Sequence, residues 1–161
     1  MNFINDIIMY IEKQYKRYCS VHAINALFGC RIVTCLQMQK FAEKYFKSYA
    51  YANNGFFSLD IIKKWLTIKR KRTLRQFAVM KNNQSKKDKL EMIGNRERFL
   101  VTVRHPYGHI YTVVKENSIF YVLDSEKNTI TEVDWNKLNG TLYELIKYTK
   151  PNKNASIIIV N

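Results

Sequence analysis

The apolar positions change period along the chain. In its first part they recur at spacings of three and four, as on helix faces; from Phe99 they alternate, as on half-buried strands. Phe3, Ile4, Ile7, Ile8 and Ile11 predict a short amphipathic helix within Met1–Lys13. Ala23, Ile24, Ala26, Leu27 and Phe28 predict a helix over Cys19–Phe28, with Gly29 as its stop. Thr34 is placed to cap another over Cys35–Tyr49, whose apolar stripe is Met38, Phe41, Ala42 and Tyr45. Asn53-Asn54-Gly55 signals a turn, and Ser58 then caps Leu59–Leu66, apolar at Leu59, Ile62, Trp65 and Leu66. Both stripes read as core packing.

Beyond the helices, Phe77–Met80 predicts a short strand. Asn82–Lys89 is a polar, lysine-rich loop, followed by one helical turn through Leu90, Met92 and Ile93. Phe99–Arg104, His109–Lys115 and Ile119–Leu123 predict three strands. His105-Pro106-Tyr107-Gly108 and Glu116-Asn117-Ser118 connect them into an antiparallel meander. Asp134–Tyr148 returns to helical spacing through Trp135, Leu138, Leu142, Leu145 and Ile146, interrupted by Gly140 and ended by Pro151. Ser156–Val160 is apolar apart from Ser156, as in a central strand. Helices first and an antiparallel sheet later predict one α+β domain over residues 1–161, without internal repeats.

Composition narrows the function classes. The 161 residues are 47% hydrophobic and 14% aromatic, enough for a proper core and too much for a disordered chain. No apolar run approaches the roughly 20 residues of a membrane span. Met1–Ile11 lacks the features of a signal peptide, so an intracellular protein, of the cytoplasm or nucleus, is expected. Three cysteines, an odd number, do not suggest a disulfide framework. Cys19, His22, Cys30 and Cys35 lie close in sequence, but their spacing lacks a paired Cys-x-x-Cys knuckle, so no metal is expected. The five glycines are dispersed and form no phosphate loop; no cofactor is expected.

A net charge of +14 implies attraction to something acidic, although a low-GC genome would favour the same Lys-, Asn-, Ile- and Tyr-rich composition. Lys69-Arg70-Lys71-Arg72, with Arg75, forms the densest basic run. It reads as a contact for an acidic partner or nucleic acid, as a nuclear import signal, or as a solvated connector.

The candidate chemistry starts at Cys19, where a polar and aromatic lead-in meets the apolar helical pattern. The first turn of a helix favours a thiolate, which is the nucleophilic form. Gln14 lies close enough upstream for its amide to reach the same cleft. A cysteine nucleophile needs a base, and the base needs an orienting partner. His109 begins one predicted strand and Asp124 follows the next, so an antiparallel meander makes them neighbours at its rim. His22, one helical turn from Cys19, reads as a structural hydrogen-bonding residue beside the site, and His105 as a surface residue.

These residues carry a resemblance. Gln14-x4-Cys19-x2-His22, followed by Ala-Ile-Asn25-Ala-Leu, resembles the active-site start of the Josephin family of papain-like cysteine proteases, which remove ubiquitin. Asn54-Gly-Phe-Phe-Ser58-Leu-Asp-Ile-Ile is similar to that family's segment opening a helix. His109-x-Tyr-Thr-Val and the Leu-Asp124-Ser ending resemble its histidine and carboxylate block, and Ser156–Val160 its closing strand. The resemblance runs from about Glu12 to Val160, with the blocks in order.

It implies a papain-like, Josephin-like fold. Cys19 would be the nucleophile, His109 the general base and acid, Asp124 its orienter, and Gln14 an oxyanion donor together with the Cys19 backbone N–H. The implied partners are conjugates of ubiquitin or a ubiquitin-like protein, cleaved through a thioester. Gly108 would let a substrate backbone approach. Two features depart from the family: Ile110 stands in place of its usual tryptophan, and the segment from Cys30 to Asn54 is too short for its long helical hairpin. A cysteine peptidase of other specificity with a processing role, and a basic nucleic-acid-binding module on an idle protease-like scaffold, remain alternatives.

Overall fold

A computed structural model describes residues 9–14, 17–46, 57–79, 97–103, 109–116, 119–133 and 155–161. The turn at Asn53–Gly55, the loop and helical turn between Asn82 and Ile93, the His105–Gly108 turn and the Asp134–Tyr148 helix lie outside the described residues. So does the first part of the Met1–Lys13 helix.

Among the described residues there are three helices and one six-stranded sheet. The helices are α1 (Cys19–Phe28), α2 (Cys35–Tyr45) and α3 (Leu59–Arg70). The strands are β1 (Leu74–Val79), β2 (Arg98–Val103), β3 (His109–Glu116), β4 (Ile119–Asp124), β5 (Thr129–Val133) and β6 (Ala155–Val160). Their order across the sheet is β1-β6-β2-β3-β4-β5, and every pairing is antiparallel. The α+β class holds.

Local chemistry explains the helix ends. Gly29 closes α1 at φ 72°, the left-handed region that glycine enters without strain, and its N–H bonds to Ala26 O. A side chain there would also meet the guanidinium of Arg98, 3.1 Å from the position of a Cβ. Thr34 opens α2 with a reciprocal capping box: its hydroxyl accepts from Gln37 N, and the Gln37 side chain accepts from Thr34 N. Ser58 stands at the start of α3 without a side-chain capping bond.

The structure departs from the sequence pattern in several places: helix α2 ends at Tyr45, with Phe46 as its C-cap, rather than at Tyr49, and β1 begins at Leu74 rather than Phe77. Residues 9–14 are irregular rather than helical, because their polar groups are engaged in tertiary bonds: Gln14 N donates to Ser125 O at 2.9 Å, and Glu12 binds residues of α1. Helix α3 runs past Leu66 to Arg70 and turns at Lys71, φ 54°, so the basic run begins inside a helix. Strand β5 was not predicted. Only Ile130 and Val133 are apolar in it, and Ile130 is exposed on this edge strand; the alternating Thr129 and Thr131 were the available signal.

The core lies between the sheet and the helices. Helix α1 is buried from Cys19 to Leu27 and packs across β3, with contacts to β2 and β4. Ile24, Met38, Phe41, Ile61 and Leu66 join Leu100, Ile110 and Ile158 of the sheet in one cluster. Strand β6 has neighbours on both sides, consistent with its apolar sequence. Helix α1 has Ser20, His22 and Asn25 among its buried residues, and it packs against the strand that begins with His109.

Candidate active site

Cys19 is the first residue of α1 and is 7% exposed. Its backbone N–H is at a position that has no intrahelical acceptor, and Tyr18 before it supplies no side-chain cap. The helix is fixed to the sheet by a buried bond: Thr112 Oγ1 of β3 donates to Ala23 O at 2.6 Å. That bond sits one turn along α1 from Cys19 and three residues along β3 from His109. The spacing between thiol and imidazole is therefore set by rigid elements, as a reactive pair requires.

The meander brings His109 and Asp124 together. The β3–β4 register ends at the Thr112–Leu123 pair, which leaves both residues on one rim of the sheet. His109 Nε2 lies 2.8 Å from Asp124 Oδ1. The Cys19 side chain is close enough to the same imidazole to favour its charged form. With Nε2 engaged by Asp124, Nδ1 is the ring nitrogen left for sulfur. Thus Cys19, His109 and Asp124 form a linked series across α1, β3 and β4.

The electrostatics follow from this geometry. Burial disfavours the charged imidazolium, but the hydrogen bond to Asp124 and the interaction with Cys19 outweigh it and raise His109 to about 10. Burial also opposes ionisation of Asp124, and the bond to His109 overcomes it, holding that carboxyl below its ordinary value. Asp124 Oδ1 further accepts from Glu126 N at 3.1 Å. A second carboxylate approaches the ring: Glu126 Oε2 is 3.7 Å from His109 Nδ1, on a side chain 64% exposed.

Gln14 also reaches this rim. Its backbone N–H donates to Ser125 O, and its Oε1 accepts from Ser125 Oγ at 3.3 Å. Ser125, next to Asp124, is buried. The structure thus brings together Cys19, His109 and Asp124 directly, and Gln14 through Ser125. Gly108 lies outside the described residues.

His22 faces a different group. Its Nδ1–H donates to Glu12 Oε2 at 2.8 Å. Glu12 also accepts from Asn25 Nδ2 at 3.0 Å, from Tyr10 O–H at 2.5 Å and from Arg31 Nε at 2.5 Å. Burial opposes the charge on Glu12, but its hydrogen bonds from Tyr10, Arg31, Asn25 and His22 lower its pKa to about 2. Sequence reasoning missed Glu12. The available signal was an acid two residues before Gln14 in a chain with few acids.

Asn25 completes this support. It is 1% exposed, and its Oδ1 accepts from Ile32 N at 3.0 Å and Val33 N at 3.1 Å. Its Nδ2 also donates to Val33 O at 2.9 Å. The Glu12–Asn25 pair thereby holds the lead-in to Gln14 and the loop before α2 against α1. Among the described residues, two buried hydroxyls lack a partner, Ser20 Oγ beside Cys19 and Tyr111 O–H two residues from His109.

The four residues weighed as zinc ligands have separate environments. Cys19 faces His109, His22 faces Glu12, Cys30 is exposed and Cys35 is half-buried. Among the described residues, the group with metal-ligand atoms within 4.8 Å of one another is His109, Asp124 and Glu126. A cation there would compete with the proton that links His109 to its carboxylate. The same imidazole cannot then relay a thiol proton.

No protein-family model matches the chain, and no curated protein matches it.

Proposed function

We propose that the protein is a thiol-dependent hydrolase with a papain-like, Josephin-like arrangement, which cleaves ubiquitin or a ubiquitin-like modifier from conjugates. The observation that carries the chemical part is the position of His109, between the Cys19 thiol and the Asp124 carboxylate. Such chemistry needs a nucleophile, a base and an orienter. The substrate part rests on the sequence resemblance.

In the proposed reaction the thiol proton already resides on His109, whose pKa is raised to about 10, when Cys19 sulfur attacks the carbonyl carbon of an amide or isopeptide bond. The imidazolium protonates the departing amine as the C–N bond breaks, leaving a thioester. Water then attacks that carbonyl and gives a proton to His109; the C–S bond breaks and the thiol is restored. Asp124 keeps the imidazole oriented and stabilises its charged form. The Cys19 N–H, lacking an intrahelical acceptor, would meet the developing oxyanion, with Gln14 as the second donor.

The test is labelling with ubiquitin, and separately with ubiquitin-like proteins, bearing a thiol-reactive C-terminus. Cys30 is the exposed free thiol, so Cys30→Ser is the proper background. An adduct mapped to Cys19 that His109→Ala weakens at least about 100-fold is expected. Reaction of Cys19 with small electrophiles alone would remove the ubiquitin reading. An inert Cys19 would remove the hydrolase reading.

A further inference from the structure

Helices α2 and α3 enclose a second feature, away from the thiol. A groove of about 460 Å³ lies between them, floored by apolar side chains that include Phe41 and Trp65. Lys40 and Lys44 of α2 and Lys69 and Arg70 of α3 line it, and among the described residues no carboxylate does. All four cations are exposed. The groove thus joins the first half of the basic run to two lysines that are distant in sequence. The nearby acid on α2, Glu43, accepts a hydrogen bond from Gln39 and is not part of the lining.

The cations are arranged over apolar surface. The Arg70 guanidinium lies 5.7 Å from the centre of the Trp65 ring and 5.9 Å from that of Phe28, and its Nη2 donates to Ile32 O at 3.3 Å. Lys44 Nζ is 5.3 Å from the centre of the Tyr45 ring. Leu36, 58% exposed, precedes Lys40 by four residues and Lys44 by eight. It therefore extends the Lys40–Lys44 side of α2 as an apolar step at the rim.

We infer that this groove is a docking site for an acidic, amphipathic peptide segment of a partner protein. Charge complementarity specifies the acidic side of the partner, and the apolar floor with exposed Leu36 specifies its hydrophobic residues. Such a segment can lay an apolar face between two helices while its carboxylates meet the flanking cations. Single-stranded nucleic acid fits the arrangement less well. It recognises proteins by stacking bases on open aromatic faces, whereas cations stand over Trp65 and Tyr45 here, and it has no use for Leu36. The inference is independent of the thiol chemistry, since none of Cys19, His109, Asp124 and Gln14 lines the groove.

The probe is a fluorescein-labelled peptide of about 16 residues, with Leu and Phe at helical spacings of three and four and Glu at the flanking positions. Fluorescence anisotropy compares it with an all-Glu peptide and a single-stranded oligonucleotide of equal charge. The amphipathic peptide is expected to bind tightest. Lys40→Glu combined with Lys44→Glu should weaken it at least about tenfold, and Leu36→Ser about threefold or more. Lys69→Glu, on the other helix, provides a second reversal should the double variant lose its circular dichroism. Cys19→Ala should leave binding unchanged.

Equal binding of the all-Glu peptide would show only diffuse charge attraction and overturn the groove. Tighter binding of the oligonucleotide would assign the surface to nucleic acid instead. Indifference to charge reversal at Lys69 and at Lys40 and Lys44 would place the contact elsewhere. Absence of peptide binding at about millimolar concentration would exclude the site.

Discussion

Replacing Glu12 by Gln preserves the shape of the side chain and removes its charge. In the folded protein this carboxylate is 9% exposed and accepts from Tyr10, Arg31, Asn25 and His22. Those bonds lower its pKa from an ordinary 4.5 to about 2. By proton linkage, that preference for the charged form is worth about 3 kcal/mol at neutral pH. The Arg31 side chain is 64% exposed and its share is screened, and Gln retains an acceptor oxygen. A loss of about 2 kcal/mol is therefore expected. Because the folded-state pKa is depressed, the contribution is complete above about 4.5 and disappears as pH falls through about 2. Urea unfolding followed by tryptophan fluorescence reads it directly. The gap between wild type and Glu12→Gln should be about 2 kcal/mol at pH about 7 and close as the pH approaches about 2. A difference below about 0.5 kcal/mol at neutral pH, or one constant down to about pH 2, would refute the reasoning. Glu12 also precedes Gln14 by two residues, so its loss should loosen the proposed oxyanion donor and lower thiol-dependent turnover in Glu12→Gln.

The two carboxylates around His109 should differ sharply in effect. Asp124→Asn should reduce turnover on the order of 100-fold or more, whereas exposed Glu126→Gln should change it less than about fivefold; comparable losses would reassign the orienting role. His109 should remain protonated well above its ordinary range, with an NMR titration midpoint near 10. Its stabilising contribution is complete below about 6.5 and is lost as pH rises through about 10, and a midpoint at or below 6.5 would contradict the proposed linkage. Thr112→Val, which removes the buried bond to Ala23 O, should cost about 1 kcal/mol in urea unfolding and lower turnover through the spacing of α1 and β3. Unchanged turnover would show that this bond does not position the site. Asn25→Ala should destabilise by about 3 kcal/mol, because the half-buried Ile32 and buried Val33 N–H groups lose their acceptor; a loss under about 1 kcal/mol would mean that another group replaces it.

Helical spacing and end residues were enough to place α1, because an apolar run between a polar lead-in and Gly29 has few other solutions. Thr34 and Gln37 likewise determine where α2 begins, since the capping box is built from residues three apart. Alternation and short connections also determined that His109 and Asp124 would meet, because a meander fixes which strand ends are adjacent. What the chain does between residues 9 and 14 was decided elsewhere: an apolar pattern suited to a helix yielded to the bonds of Glu12 with α1 and of Gln14 with Ser125. Those partners lie from 10 to 111 residues away, beyond the reach of any local periodicity. The same holds for the groove, where Lys40 and Lys44 join Lys69 and Arg70 only through helix packing. Local pattern therefore specified α1, α2, α3 and most strands, β5 excepted, and the rim pair His109–Asp124, while tertiary structure decided the approach of Cys19, the role of Glu12 and the assembly of a basic groove, because each depends on charges and donors brought together from distant parts of the chain.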